Sequence, residues 1–154
     1  MLPTRRNIKN APTTSVKGGF PVYYHYTVGI SGEKFFYGLK DKKFIGNTCE
    51  ACDFTYFPPK MFCEDCFNEL GDDTYKELKL EGTIVGVSKV FFDFRGQKLV
   101  EPYHMGLIKV EGSNTTFFHK IVDIENPEID QKVKAKWNED RAGSIFDLEG
   151  FTSS

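Results

Sequence analysis

The sequence predicts a mainly β protein with a short N-terminal helical segment, in which a rubredoxin-like zinc ribbon is followed by a five-stranded OB-fold barrel. Three observations predict it. Two CxxC pairs, Cys49/Cys52 and Cys63/Cys66, are separated by ten residues, and each such turn aims two thiolates at one point, as a tetrahedral metal requires. From residue 78 onward the segments GTIVGVSKVFFDF, HMGLIKVEG, TTFFHKIVDI and KVKAKWNED are rich in β-branched and aromatic residues and are separated by Gly, Asn, Pro and Asp. These segments share about 75 residues, too few for a sandwich and enough for a small barrel.

Residues 1–19, rich in Pro, Thr, Asn and Gly, have no sustained period and are expected to form a flexible arm. They are polar and basic and lack the apolar run of a signal peptide. No stretch approaches the roughly 20 apolar residues of a membrane span. The expectation is a soluble, cytoplasmic protein whose thiols stay reduced, so that paired cysteines bind metal rather than each other. Residues 20–45 form an aromatic segment, FPVYYHY, and then a helix expected over 32–42. Ser31 would cap that helix, and Glu33 would meet its dipole in the first turn. Phe35, Phe36 and Leu39 share one helical face by i, i+3 and i+4 spacing. That face either packs locally on the ribbon or docks to another subunit.

Residues 46–70 carry the metal segment, with a hairpin through the Pro58 and Pro59 turn, and the acidic NELGDDTY after it has the look of a linker. The barrel is expected over 78–140. Within KVKAKW the alternation is strict, placing Val133, Ala135 and Trp137 inward and Lys132, Lys134 and Lys136 in solvent. Residues 141–154 are expected to be a tail beyond the barrel, and their apolar Ile145, Phe146, Leu148 and Phe151 would then need a partner to cover them. Two small cores, one per module, are anticipated for 154 residues.

The chemistry rests on the four cysteines. Zinc and rubredoxin-type iron use the same four-thiolate geometry, so both remain open at this level. A redox dithiol lacks its usual strand-to-helix setting. Catalytic zinc is disfavoured because four thiolates leave no open coordination position. His25, His104 and His119 are scattered, and no phosphate loop or GxSxG elbow occurs. The net charge of −2 gives no general attraction to a polyanion. The 15 Phe and 7 Tyr are many for so small an interior, which points to rings covered by a partner.

The helix GEKFFYGLKDKKFIG at 32–46, the knuckles CEACDFTYFPPKMFCEDC at 49–66, EGTIVGVSKV at 81–90, PYHMGLIKVEG at 102–112 and KIVDIENPEIDQKVKAKW at 120–137 run in order through most of the chain. Together they resemble the zinc-ribbon and OB-fold proteins that accompany thiolases and hydroxymethylglutaryl-CoA synthases. The resemblance implies a non-catalytic subunit with a structural zinc on Cys49, Cys52, Cys63 and Cys66. It implies a hetero-oligomer with a thiolase-fold enzyme, and a coenzyme A thioester shared with that partner. Lys60 stands where the family carries a basic residue and would pair with a CoA phosphate; Lys89, Arg95 and Lys98, placed around the first barrel hairpin, would add a basic rim for CoA, and the Phe35, Phe36 and Leu39 face of the helix would be the docking face. The hairpin departs from the family pattern in its rings Phe91, Phe92 and Phe94, which would tune an acyl pocket, with room for a bulky or aromatic acyl group, or serve a subunit contact. The competing readings are a zinc-ribbon and OB-fold protein that binds single-stranded nucleic acid, and a rubredoxin-like electron carrier.

Overall fold

The computed structural model describes residues 26–154, so the arm expected over 1–19 and most of the FPVYYHY segment lie outside the described residues. The first element is helix α1, Gly29–Lys40. It begins before the expected cap because Ser31 is buried and its hydroxyl lies 2.6 Å from the Tyr75 hydroxyl, which leaves it inside the helix rather than at its start. Val28 occupies the N-cap without a side-chain bond, and no acidic residue lies in the first turn. The end is set by Lys42 at φ 58°. The amide of Lys43 returns to the carbonyl of Gly38 at 2.8 Å and that of Lys42 to Leu39 at 3.1 Å. This is a left-handed helix stop with lysine in the position glycine usually fills.

Three strands build the ribbon sheet: β1 (Phe44–Cys49), β2 (Phe54–Tyr56) and β3 (Tyr75–Leu78), in the order β2-β1-β3 and antiparallel throughout. Strand β3 and the 3-10 turn Asp72–Thr74 occupy much of what the sequence suggested was linker. The barrel comprises β4 (Glu81–Phe92), β5 (Lys98–Val110), β6 (Phe117–Ile121), β7 (Lys132–Trp137) and β8 (Leu148–Ser153). It closes in the order β4-β5-β6-β8-β7, as a five-stranded OB barrel. Val133 points inward and is fully buried, while Lys132 and Lys134 are exposed, as the alternation predicts.

The expected tail is corrected: β8 is the closing strand. It runs antiparallel to β7 from Val133↔Ser153 to Trp137↔Leu148 and touches β6 in parallel at Ile121↔Phe151. Leu148 and Phe151 are core residues rather than exposed apolar groups awaiting a cover. The loop before the strand is fixed by buried Asp147, whose carboxylate accepts the amides of Ala142 (3.0 Å) and Gly143 (2.7 Å) and the Ser144 hydroxyl (3.1 Å). Burial opposes its charge, but these donors outweigh burial and hold the carboxyl below its ordinary value.

The expectation of two separate cores is also corrected. One cluster runs from Phe35 and Leu39 of α1 through Phe44 and Phe57 of the ribbon to Phe117 and Phe151 of the barrel. Only Cys49, Tyr56, Cys63 and Leu70 form a second, smaller cluster around the metal site. The seam is hydrogen-bonded as well: the amide of Thr55 donates to the side-chain oxygen of Asn114 and that of Phe57 to the Thr115 hydroxyl, both at 2.8 Å. Ribbon and barrel therefore present one continuous surface.

Candidate metal centre and exposed faces

Strand β1 ends at Cys49, and the turn that follows brings Cys52 back beneath it. The second knuckle, Cys63 to Cys66, is closed by the amide of Phe67 on the Cys63 carbonyl at 3.1 Å and by the amide of Cys63 on the Asn68 carbonyl at 2.9 Å. The residue after each knuckle is left-handed, Asp53 at φ 49° and Phe67 at φ 59°. The four sulfurs lie within 4.8 Å of one another, with Cys49 to Cys66 at 3.5 Å and Cys63 to Cys52 at 3.8 Å. A tetrahedron with metal–sulfur bonds of about 2.3 Å has edges of about 3.8 Å. The donor set and its geometry therefore fit one structural zinc.

A second layer holds these ligands. Buried Tyr56 accepts the amide of Glu64 at 3.1 Å, and its hydroxyl lies 3.3 Å from the Cys63 sulfur, positioned to donate. The Cys66 amide, the Tyr56 hydroxyl and the Asp65 amide hold the Cys63 thiol down at about 6, so it is ready to ligate as thiolate. Burial pushes the Cys49 thiol up. Fully buried Asn47 mimics a backbone pair, donating to the Lys60 carbonyl at 2.6 Å and accepting the Lys60 amide at 3.1 Å. Neither Tyr56 nor Asn47 stands out in the sequence. In FTYFPP the tyrosine reads as another hairpin ring, and only its position two residues before the proline turn sets it apart.

Of the suggested docking residues, Phe35 and Leu39 are core, with exposures of 6% and 0%. Phe35 meets the rings of Phe57 and Phe117 at 5.7 and 6.1 Å. Their face of α1 is therefore spent inside the chain, and the docking expectation for it is corrected. Phe36 is half-buried against the same core. Among the suggested CoA contacts, Lys60 lies in the ribbon, its ammonium 2.8 Å from the Glu64 carboxylate. Lys89, Arg95 and Lys98 lie together on a different element, the β4–β5 hairpin.

That hairpin is a structural feature in its own right. Strand β4 pairs with β7 only through Glu81, Gly82 and Thr83, and β5 pairs with β6 only from His104 to Ile108. Beyond Lys89↔His104 the two strands have only each other among the described residues. The resulting arm carries exposed Phe91, Phe92 and Phe94, with Phe94 at 92% and Val100 at 98% exposure. Its tip is tied by hydrogen bonds: the Asp93 carboxylate accepts the amides of Arg95 (2.9 Å) and Gln97 (2.8 Å), and Gly96 turns at φ 77°. The Arg95 guanidinium lies 5.1 Å from the Phe94 ring centroid.

Charge separates the two ends of the molecule. Between Cys49 and Asp73 seven carboxylates face a single lysine, Lys60, whereas the arm and its base balance Lys89, Arg95 and Lys98 against Asp93 and Glu101. No helix among the described residues is long and apolar enough to cross a membrane.

Comparison with known proteins agrees with this geometry. The family model described as ChsH2, rubredoxin-like zinc ribbon domain, matches residues 38–70. A crystal structure from Sulfolobus solfataricus, described as a protein of unknown function from the DUF35 family, is 30% identical. It aligns over 70% of this chain and 78% of its own, with a TM-score of 0.59. The chain belongs to the DUF35 family. A second DUF35 structure, described as the Ltp2-ChsH2(DUF35) aldolase, has the same fold at 17% identity and a TM-score of 0.61, over 84% of this chain and 98% of that one. No curated protein matches the sequence.

Proposed function

We propose that this DUF35 chain is a non-catalytic subunit that docks to a thiolase-type acyl-CoA enzyme and helps hold the thioester while the partner performs the chemistry. The observation that carries the reading is the β4–β5 arm, a preorganised tip that presents rings and cations for which the chain itself has no use. An aromatic ring stacked with arginine at full exposure is the composition of an interface anchor, and rigidity lowers the ordering cost of docking. The four-thiolate site supplies stability rather than catalysis, since its coordination sphere is closed. Family membership supports the same role, because the DUF35 chain of the second structural neighbour is described together with Ltp2 as an aldolase.

Within such a complex the partner would contribute nucleophile, base and oxyanion hole. Lys89, Arg95 and Lys98 would then face the polyanionic end of the CoA thioester as it enters, and Lys60 would follow if it released Glu64, an exposed pair of small energy. The nucleic-acid reading is opposed by the seven carboxylates of the ribbon. The electron-carrier reading is opposed by the match to a zinc ribbon.

The arm provides the test. Phe94→Ala and Arg95→Glu, made in the full chain and assayed against the enzyme that co-purifies with it, are expected to weaken association at least tenfold while leaving the thermal midpoint unchanged. Unchanged association in both variants would remove the arm as the docking element.

A further inference from the structure

The second knuckle leaves apolar groups in solvent that neither the metal nor the core uses. The loop from Met61 to Leu70 is closed by the amide of Leu70 on the Met61 carbonyl at 2.8 Å and by a bridge between Phe62 and Glu69. Cys63 and Cys66 turn to the metal site, but Met61, Phe62 and Phe67 are exposed. Next to the loop, the first turn of α1 brings exposed Ile30 beside Met61, and with Leu70 and Tyr75 these residues line a cleft of about 140 Å³. That volume lies below the range of cofactor-sized sites and suits a single apolar side chain, the kind of pocket in which an interface anchor sits. Phe67, at 77% exposure, also holds its backbone at φ 59°, a region that bulky residues rarely enter.

Charge decides what the cleft takes. Between Met61 and Tyr75 the chain has no lysine or arginine. Two of the carboxylates on this stretch are met from outside it: Glu64 by Lys60 at 2.8 Å, and Asp72 by Lys34 at 3.1 Å, whose ammonium also lies 4.8 Å from the Tyr75 ring centroid. Lys76, the next residue along β3, lines a different cleft with Glu111. Asp65, Glu69 and Asp73 make no ion pair among the described residues. We propose that the second knuckle and its cleft are a docking site for a basic segment of a partner protein, which sets one apolar side chain between Ile30 and Met61 and its lysines or arginines against Asp65, Glu69 and Asp73. The unpaired carboxylates draw cations to this end of the molecule and speed encounter. The filled cleft and the Phe67 ring then supply the hold, and acidic segments are rejected by like charge. The site lies on the ribbon and uses no residue of the β4–β5 arm.

The test is an amide-resolved NMR titration of the full zinc-loaded chain with a synthetic peptide that carries one leucine between lysines and arginines. The controls are the same peptide with alanine for leucine, the same peptide with glutamate for its cations, and spermine. The expected result is saturable shifts at Ile30, Met61, Phe67 and Glu69 that no control reproduces. Phe67→Asn and Glu69→Lys should each weaken binding about tenfold or more. Both side chains are exposed, and asparagine accepts a left-handed backbone readily, so Phe67→Asn should keep a thermal midpoint no lower than that of the wild type. Equal binding of spermine or of the alanine peptide, shifts confined to other surfaces, or affinity indifferent to both substitutions would overturn the proposal. So would loop resonances that move on dilution, as a second copy seated on the loop would cause, or with Arg5→Glu and Arg6→Glu, as the chain's own basic N-terminal residues would cause. The titration uses the chain without an enzyme partner, so its failure leaves the docking of the arm untouched.

Discussion

At the scale of single residues, the metal site depends on a hydroxyl as well as on thiols. Tyr56→Phe removes the donor to Cys63 and the acceptor for the Glu64 amide while keeping the ring against Phe54 at 4.8 Å. Zinc affinity, measured by chelator competition, should fall by about 10- to 100-fold, the range for lost outer-layer partners, with the circular dichroism of the holo form unchanged. Cys63→Ser should be more severe, because structural zinc supplies folding free energy directly. Less than one equivalent of bound zinc together with early melting is the expected outcome, and a metal-free variant with the wild-type midpoint would contradict it. His119 gives the fold a pH dependence. Burial lowers its pKa, backbone groups of Ile145 and Lys120 partly offset this, and its Nδ1 is enclosed without a partner among the described residues. The unfolded chain therefore binds the proton first, so stability falls as pH drops below about 6.5 towards the lowered folded value. Denaturant midpoints for the wild type and His119→Leu should diverge across that window, and parallel curves would show that the imidazole contributes nothing.

At the scale of elements, the CxxC pairs and the strict alternation of KVKAKW were legible because metal geometry and the pleat impose short, rigid patterns on sequence. Strand β8 was not. Its LEGFTS has buried residues at the first, third and fourth positions, with a glycine against the Lys120 carbonyl, so no period of two is visible. The same holds for the face of α1. Its i, i+3, i+4 pattern reveals an apolar stripe but not what covers it, and the cover proves to be Phe57 and Phe117 from distant parts of the chain. Phe151→Ala should therefore destabilise the whole chain by about 3–5 kcal/mol, the cost of emptying a packed aromatic site, rather than alter a peripheral tail. Phe35→Asp should likewise prevent folding, since it would bury an unpaired charge. Loss of partner binding with full stability would restore the docking role to that face.

At the scale of the whole molecule, ribbon, helix and barrel share one core, with an acidic metal-bearing end and a ring-bearing arm whose charges nearly balance. The sequence could show an excess of rings and a near-neutral charge, but not their sorting, because sorting depends on how far β4 and β5 extend past their neighbours. Fourteen residues of hairpin without flanking strands, 90–103, are costly to maintain for a solitary protein, whose exposed edges invite wrong pairing. The decisive measurement is recovery of the tagged protein from its native cells at moderate salt, with the retained proteins identified and quantified by mass spectrometry. A docking subunit should retain one thiolase-fold enzyme in fixed stoichiometry, lost from the Phe94→Ala and Arg95→Glu variants; ribosomal proteins and nucleic acid in its place, or a protein recovered alone from every preparation, would rule that role out.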